Sequence, residues 1–304
     1  MQFWSLPTSP EAGHISARPV KLGSQQKETK PVAVVAAASE VLVLLASGVL
    51  ASLKHGGQGV NKWVNAKLQG PTAMAAWGNV VVVGARDSTC RIFAVSTLQH
   101  MATLPKASIS TSSVRSLDPP VGVSNLAVSP DSSALAVLSE DGTLSAWDIT
   151  DFHKLGRQRV ARLSSGPIWD IAVSHHGGVQ TAATCGSDGM VRIWGLDVPS
   201  NAHRSATTAL TSCLIARDDG QPVDLRCVRW NPEGSEMALG DMQGNIHIVS
   251  ISMFGEVKKS RTLEAHDGEV LSLDYVIYKQ ASGVDVALWL SLLGPVACFT
   301  FALV

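Results

Sequence analysis

The chain has 304 residues, 45% of them hydrophobic, and a formal net charge of -1 from 24 Lys and Arg against 25 Asp and Glu. This composition is typical of a globular protein with a buried core and argues against a disordered or fibrous chain. Binding to a nucleic-acid backbone requires a surplus of Lys and Arg, so the near-neutral charge argues against nucleic acid as a partner. The 8 Trp outnumber the 6 Phe and the 2 Tyr, which predicts a repeated structural role for Trp.

The five cysteines are widely spaced along the chain: Cys90, Cys185, Cys213, Cys227 and Cys298. Neither a disulfide framework nor a Cys-x-x-Cys metal site fits this spacing. The adjacent His175 and His176 would point to opposite faces if they lay in a strand, and they have no second ligand cluster near them in the sequence, so a turn accounts for them better. We therefore predict a reducing compartment and no bound metal.

The first part of the chain combines a polar segment with a long apolar stretch. Residues 1–30 are predicted to hold a partial blade strand at Phe3-Trp4 and a disordered N-terminal segment. The apolar stretch from Val32 to Leu53 contains Glu40, and its second half is typical of two buried strands joined at a Ser-Gly turn. We therefore prefer strands to a membrane span at this place.

A repeated motif follows, in which an aromatic residue lies six positions after an Asp in a turn. The fourth copy, 241–250, keeps the turn glycine but has Val249 where the other copies have the ring. The three complete copies are Asp87 with Phe93, Asp141 with Trp147, and Asp188 with Trp194. The positions of the ring, Phe93, Trp147, Trp194 and then Val249, lie 54, 47 and 55 residues apart. This spacing is a little longer than the roughly 40 to 45 residues of an uninterrupted propeller blade, so we expect enlarged loops.

Each copy is preceded by a second shared pattern, an alternating apolar run that a turn closes. Every unit therefore reads strand, turn, strand, Asp-Gly turn, strand, which predicts an antiparallel meander. Residues 31–275 are predicted to form these blades, with long surface loops at 107–122 and 199–222. Four-stranded blades packed radially protect most of their edges from solvent.

These residues resemble the WD repeat. The resemblance implies an all-β WD-repeat β-propeller of four-stranded antiparallel blades, which we expect to be incomplete, with about five full blades and parts of others. It also implies that the turn aspartates accept hydrogen bonds in a network that includes a His, for which His266 is the clear candidate. Asp148, next to Trp147, is counted with these structural residues.

A closer resemblance extends from residue 3 to about 275. Segments such as Asn61-Lys62-Trp63-Val64 and, above all, the stretch 264–275 are similar in order and spacing to the mitogen-activated-protein-kinase-binding family of WD-repeat scaffolds. That family includes the microcephaly-linked spindle-pole member. The resemblance implies a partial chain of a non-catalytic scaffold with protein partners from kinase pathways or the centrosome. It also implies a cytoplasmic localisation, in association with the cytoskeleton or centrosome.

The last segment, 276–304, departs from this pattern because it has neither the turn Asp nor the terminal ring. It is predicted to be an atypical apolar tail. Its residues Val286 to Val304 carry no charge, which leaves an alternative hypothesis: a tail-anchored membrane protein with a cytosolic propeller-like region. Gly294-Pro295 at the centre and the lack of a flanking basic cluster argue against this alternative.

The Trp residues are assigned by their places in the repeat. Trp147 and Trp194 are predicted to be core wedges between blades, and Trp169 and Trp230 are predicted to lie in the core because their strands alternate. Two that flank loops, Trp63 and Trp77, are candidate partner contacts, since exposed aromatic residues often anchor interfaces. No catalytic or cofactor-binding constellation is apparent, so we predict that the protein is not an enzyme.

Overall fold

The computed structural model describes residues 2–5, 16–19, 30–37, 40–54, 60–104, 121–151, 156–162, 167–176, 179–196, 209–252, 256–265, 267–279, 285–292 and 299–303. The chain divides into two compact units, residues 1–124 and 125–304. All named elements are β-strands, and each pairs with its sequence neighbour in an antiparallel sheet.

The first unit contains a two-stranded sheet and two four-stranded sheets. The two-stranded sheet consists of β1 (Gln2–Ser5) and β2 (Ser16–Pro19). The first four-stranded sheet is β3 (Pro31–Ala37), β4 (Glu40–Leu45), β5 (Val49–Lys54) and β6 (Val60–Asn65). The second is β7 (Pro71–Trp77), β8 (Val80–Ala85), β9 (Cys90–Ala94) and β10 (His100–Leu104).

The second unit contains three four-stranded sheets and one three-stranded sheet. The first of these sheets consists of β11 (Val123–Val128), β12 (Ala134–Ser139), β13 (Thr143–Asp148) and β14 (Gly156–Arg162), and β11 begins just before the boundary between the units. The next two consist of β15 (Ile168–His176), β16 (Val179–Gly186), β17 (Met190–Gly195) and β18 (Thr211–Leu214), and of β19 (Leu225–Trp230), β20 (Glu236–Asp241), β21 (Asn245–Ile251) and β22 (Val257–Glu264). The three-stranded sheet consists of β23 (Ser272–Lys279), β24 (Asp285–Leu292) and β25 (Phe299–Leu303).

The turns between the second and third strands have a left-handed residue at the same place. Gly142, Gly189 and Gly244 adopt φ values of 75°, 69° and 93°, a region that glycine enters without a side-chain penalty. In the first copy Ser88 occupies the equivalent place with φ of 66°. Tight turns of this kind bring the two strands back into register, and the antiparallel meander predicted from the sequence is confirmed.

Within each unit, the core lies between the faces of consecutive sheets. Phe93 of β9 is buried in a cluster with Leu42 and Leu44 of β4 and with Val81 and Val83 of β8. In the second unit, Trp194 of β17 is buried with alanines and leucines of β12 and β13. Val249 of β21, which replaces the ring in the fourth copy, is buried with Met237, Leu239 and the facing residues of β16 and β17. Alternation explains this arrangement, because every second residue of a strand faces the neighbouring sheet.

The predicted sheet count agrees with the described residues, which form five four-stranded sheets and two smaller ones. Three predicted segments need more detail. Strands β1 and β2 lie within 1–30; β18 lies within 199–222, which therefore is not a loop throughout; and β24 and β25 lie within 276–304. In the part of the chain that is described, no helix has the length and apolar character needed to cross a membrane.

Candidate functional site: a stack of Trp169 and Arg226

The turn aspartates predicted from the repeat accept backbone hydrogen bonds. Oδ1 of Asp87 accepts from Thr89 N at 3.1 Å, Oδ1 of Asp141 from Thr143 N at 2.9 Å, and Oδ1 of Asp188 from Met190 N at 3.0 Å. Each bond spans two residues and holds the turn in the manner of an Asx-turn.

A different carboxylate takes this role in the fourth copy, where Gln243 stands at the position of the turn Asp. Asp241, two residues earlier, is buried and accepts from Asn245 N at 2.8 Å and from Asn245 Nδ2 at 2.9 Å. Its Oδ2 lies 2.9 Å from Nε2 of the buried His247, whose Nδ1 lies 3.1 Å from Thr262 Oγ1. Burial alone would raise the pKa of Asp241, but the hydrogen bonds from His247 and Asn245 outweigh it and lower the pKa below 3.8.

Asp241 and His247 form a buried Asp-His network, whereas the sequence analysis predicted such a network at His266. The predicted histidine, His266, lies outside the described residues. The available signal was the spacing of Asp241 and His247, which are six residues apart as in the other Asp-aromatic pairs. The network fixes the turn that carries Met242, so it bears on the surface described below.

The wedge residues of the second unit are buried. Trp147 and Trp194 are almost completely buried, and Trp194 Nε1 donates to Thr184 Oγ1 at 2.9 Å. Asp148 closes β13 by accepting two hydrogen bonds from Thr150. These groups serve packing and turn geometry, and none presents reactive chemistry to solvent.

Trp230 is buried as predicted, but the same prediction for Trp169 is wrong. Trp230 donates from Nε1 to Ala172 O at 3.2 Å, whereas Trp169 is 43% exposed. The reason is an irregularity in the pairing of β15 with β16, where the register shifts between Ile168 and Asp170. A bulge inserts one extra residue and re-aims the side chain, so strict alternation fails at this point.

The same shift recurs in the first strands of four sheets. It lies between the first and third residues of β3, β7, β15 and β19. The residue in the bulge therefore has no partner in the ladder of that strand pair, and it differs in chemistry from sheet to sheet. These residues are Val32 and Thr72 in the first unit and Trp169 and Arg226 in the second.

Trp169 and Arg226, which occupy the bulges of consecutive sheets, contact each other. The Cζ atom of Arg226 lies 4.5 Å from the centroid of the Trp169 ring, a cation–π geometry. Two carboxylates hold the guanidinium: Asp224 Oδ2 lies 3.3 Å from Nη2, and Glu269 Oε1 lies 3.0 Å from Nε as an ion pair. Met242, which is 47% exposed, places its Sδ 3.4 Å from Nη2. We call these five residues the stack site.

A buried carboxylate next to the stack fixes the spacing of the two strands. Asp170 accepts from Val228 N at 2.9 Å and from Arg229 Nη1 at 2.6 Å, both on β19. It also accepts from Asn125 of β11 and from Ile171 N of its own strand. The pKa of Arg229 is raised, chiefly by the negative charge of Asp170. This clamp connects β15 to β19 and so positions Trp169 under Arg226.

The two predicted contact residues lie in the first unit. Trp63 of β6 is 64% exposed, whereas Trp77 at the end of β7 is half-buried. The exposure of Trp63 is consistent with a partner contact, which stays a prediction. Among the described side chains, no group of three or more His, Cys, Asp or Glu could hold a metal ion.

Comparison with known proteins decides what the repeats are. The family model described as "WD domain, G-beta repeat" matches residues 111–148 and 157–195. The chain carries WD repeats. A WD-repeat propeller chain in a crystal structure of the mitotic checkpoint complex superposes on this WD-repeat chain with a TM-score of 0.65, at 18% identity, over 92% of this chain and 76% of that one. The similarity shows that the predicted fold is correct.

Two curated relatives match a large part of this WD-repeat chain. WD repeat-containing protein 62 of Sus scrofa is 26% identical over 259 residues, and mitogen-activated protein kinase-binding protein 1 of Mus musculus is 25% identical over 261 residues. Each alignment covers 71% of this chain and 17% of the relative. The predicted resemblance to this group of WD-repeat proteins is confirmed, and the chain spans about a sixth of the length of these two relatives.

Proposed function

We propose that this WD-repeat chain is a non-catalytic scaffold that binds other proteins, and that the stack site is one of its contact surfaces. The observation that carries the proposal is the exposure of Trp169 on a strand that Asp170 clamps to its neighbour. Large aromatic side chains are usually buried, as Trp147, Trp194 and Trp230 are in the same unit. A rigid, exposed Trp next to an Arg is typical of the residues that dominate protein interfaces.

The names of the relatives support a finer proposal. One of them is named for binding a mitogen-activated protein kinase. We extend the proposal to partners from kinase pathways or the centrosome, and to a cytoplasmic localisation in association with the cytoskeleton or centrosome. The free thiols of Cys90, Cys185, Cys213 and Cys227 fit a reducing compartment.

The proposal is tested by quantitative affinity purification of the full chain from cells, followed by mass spectrometry. The wild type is compared with Trp169→Ala and with Leu214→Ala, which truncates an exposed side chain of β18 outside the stack site. We expect a set of proteins that the wild type and Leu214→Ala retain and that Trp169→Ala loses. Equal recovery of every protein by all three chains would contradict a role of the stack site.

Two further experiments test the Trp63 contact and the proposed kinase partner. Trp63→Ala in the same experiment tests the predicted contact in the first unit. A purified mitogen-activated protein kinase, titrated against the wild-type chain, tests direct kinase binding. Absence of binding at micromolar concentrations of the kinase would contradict the proposed direct binding of this kinase. The affinity purification would then still test the protein-binding role.

A further inference from the structure

We infer that the stack site recognises a peptide segment that presents an apolar side chain next to a Lys or Arg. This inference deepens the proposed function and rests on it. It follows from the two chemistries that the site combines: an exposed apolar surface on Trp169 and Met242, and carboxylates around a cation that is already paired.

The apolar half of the site is open and held in place. Arg226 lies over the Trp169 ring, yet 43% of the Trp169 surface stays accessible. Met242 lies against the same guanidinium, and a Met side chain adapts to partners of different shape. The backbone N of Met242 donates to Asp224 O at 3.0 Å, so the turn is fixed while its side chain is exposed. The site therefore offers a preformed surface for one apolar side chain of a partner.

The charged half of the site is acidic. Arg226 contributes one positive charge, and Asp224 and Glu269 contribute two negative charges around it. Oδ1 of Asp224 is buried and makes no hydrogen bond within the described part of the chain, so this carboxylate acts on a partner through its negative charge. Glu269 is partly exposed, and the exposed Asp267 lies two residues before it. Charge complementarity therefore favours a cationic side chain on the partner.

The same pairing argues against an anionic ligand. A guanidinium binds phosphate best when it is free to form a bidentate contact, and here Arg226 is already held by Asp224 and Glu269. An approaching phosphate would meet both carboxylates at short range. A phosphorylated segment therefore carries the wrong charge for this site.

The test is selection from a phage-displayed library of random linear peptides on the immobilised full chain. The highest enriched sequences are then synthesised and titrated against the wild type, Trp169→Ala, the double variant Asp224→Asn/Glu269→Gln, and Leu214→Ala as the matched control. We expect enrichment of Lys or Arg beside an apolar residue. The Trp169→Ala substitution should weaken the synthetic peptides about thirtyfold, as truncation of an interface hot spot does.

The double variant separates charge from shape, because its amides keep the size of the carboxylates. It should weaken the basic peptides about tenfold at low salt, with a smaller effect at high salt. Leu214→Ala should bind as the wild type does. Circular dichroism and the melting temperature of each variant establish that the fold is retained.

Three outcomes would overturn the inference. They are enrichment of acidic peptides or binding of phosphorylated versions, equal binding of selected peptides to the wild type and Trp169→Ala, and no enrichment above phage without peptide. The second outcome would leave the chain a peptide-binding module with its contact elsewhere. The affinity purification described above judges the proposed function separately, because it does not depend on linear peptides.

Discussion

Removal of the Asp170 carboxylate tests the clamp that joins two sheets of the second unit. In Asp170→Ala, the N–H of Val228 loses its acceptor and the guanidinium of Arg229 loses its ion-pair partner. Breaking a buried ion pair by removing one partner costs about 3–5 kcal/mol. The Arg229 side chain is 34% exposed, so water replaces part of the lost interaction and the cost lies near the lower end, at about 3 kcal/mol.

Urea denaturation followed by Trp fluorescence measures this change. With an m-value of about 3 kcal/mol/M, the midpoint should fall by about 1 M urea. Asp170→Asn keeps an acceptor for Val228 and loses the charge, so it should lie between the wild type and Asp170→Ala. The control is Asp219→Ala in an exposed turn, where a single backbone hydrogen bond from Gln221 is lost. A midpoint for Asp170→Ala equal to that of Asp219→Ala would refute the clamp.

Three further outcomes follow from the same unit. Asp241→Asn should lower stability by about 1–2 kcal/mol at pH 7. Because the pKa of Asp241 is lowered below 3.8, its ionised form stabilises the fold above about pH 4, and urea midpoints at pH 7 and pH 3 should show the difference shrinking in acid. Alkylation of the native chain, read by peptide mass spectrometry, should label the half-buried Cys213 before the buried Cys185, whose pKa burial raises well above 9.0; equal rates would contradict this. Gly189→Ala should destabilise more than Gly220→Ala in thermal melts by about 1–3 kcal/mol, because both have positive φ but only the Cβ at 189 would meet Ile215 O at 2.9 Å.

The repeat pattern was sufficient to predict the sheets, because turn chemistry and alternation are local properties. Each Asp-turn-aromatic copy marks the end of one strand and the whole of the next, and these strands are β9, β13 and β17. The burial of Trp194 follows from the same pattern, since its strand is regular. Local rules therefore located the core and missed the surface that carries the proposed function.

Trp169 shows why the rest could not be predicted. It has the same parity as the buried Ile171, so alternation alone places it in the core. The bulge between Ile168 and Asp170 is a property of the pair β15 and β16, and no single strand reveals it.

Asp241 was missed for a related reason. The pattern requires a carboxylate at the position of Gln243, and the sequence alone does not show that a residue two places earlier reaches the same N–H of Asn245. The structure shows it because Asp241 ends β20 at the start of the turn. Function at a turn can therefore be kept while the residue that performs it moves along the chain.

The recurrent bulge has a consequence for how such a chain can acquire new specificity. Val, Thr, Trp and Arg occupy the same place in four sheets, and the sheet forms around each of them. The side chain at this place is thus less constrained by folding than the buried wedges and the turn aspartates are. Under the proposed function, a substitution at one bulge would change the contact chemistry of that sheet while its neighbours keep their own side chains. The repeated sheet thus keeps its backbone constant while the side chain at the bulge differs from sheet to sheet, and the pair of Trp169 and Arg226 is one such combination.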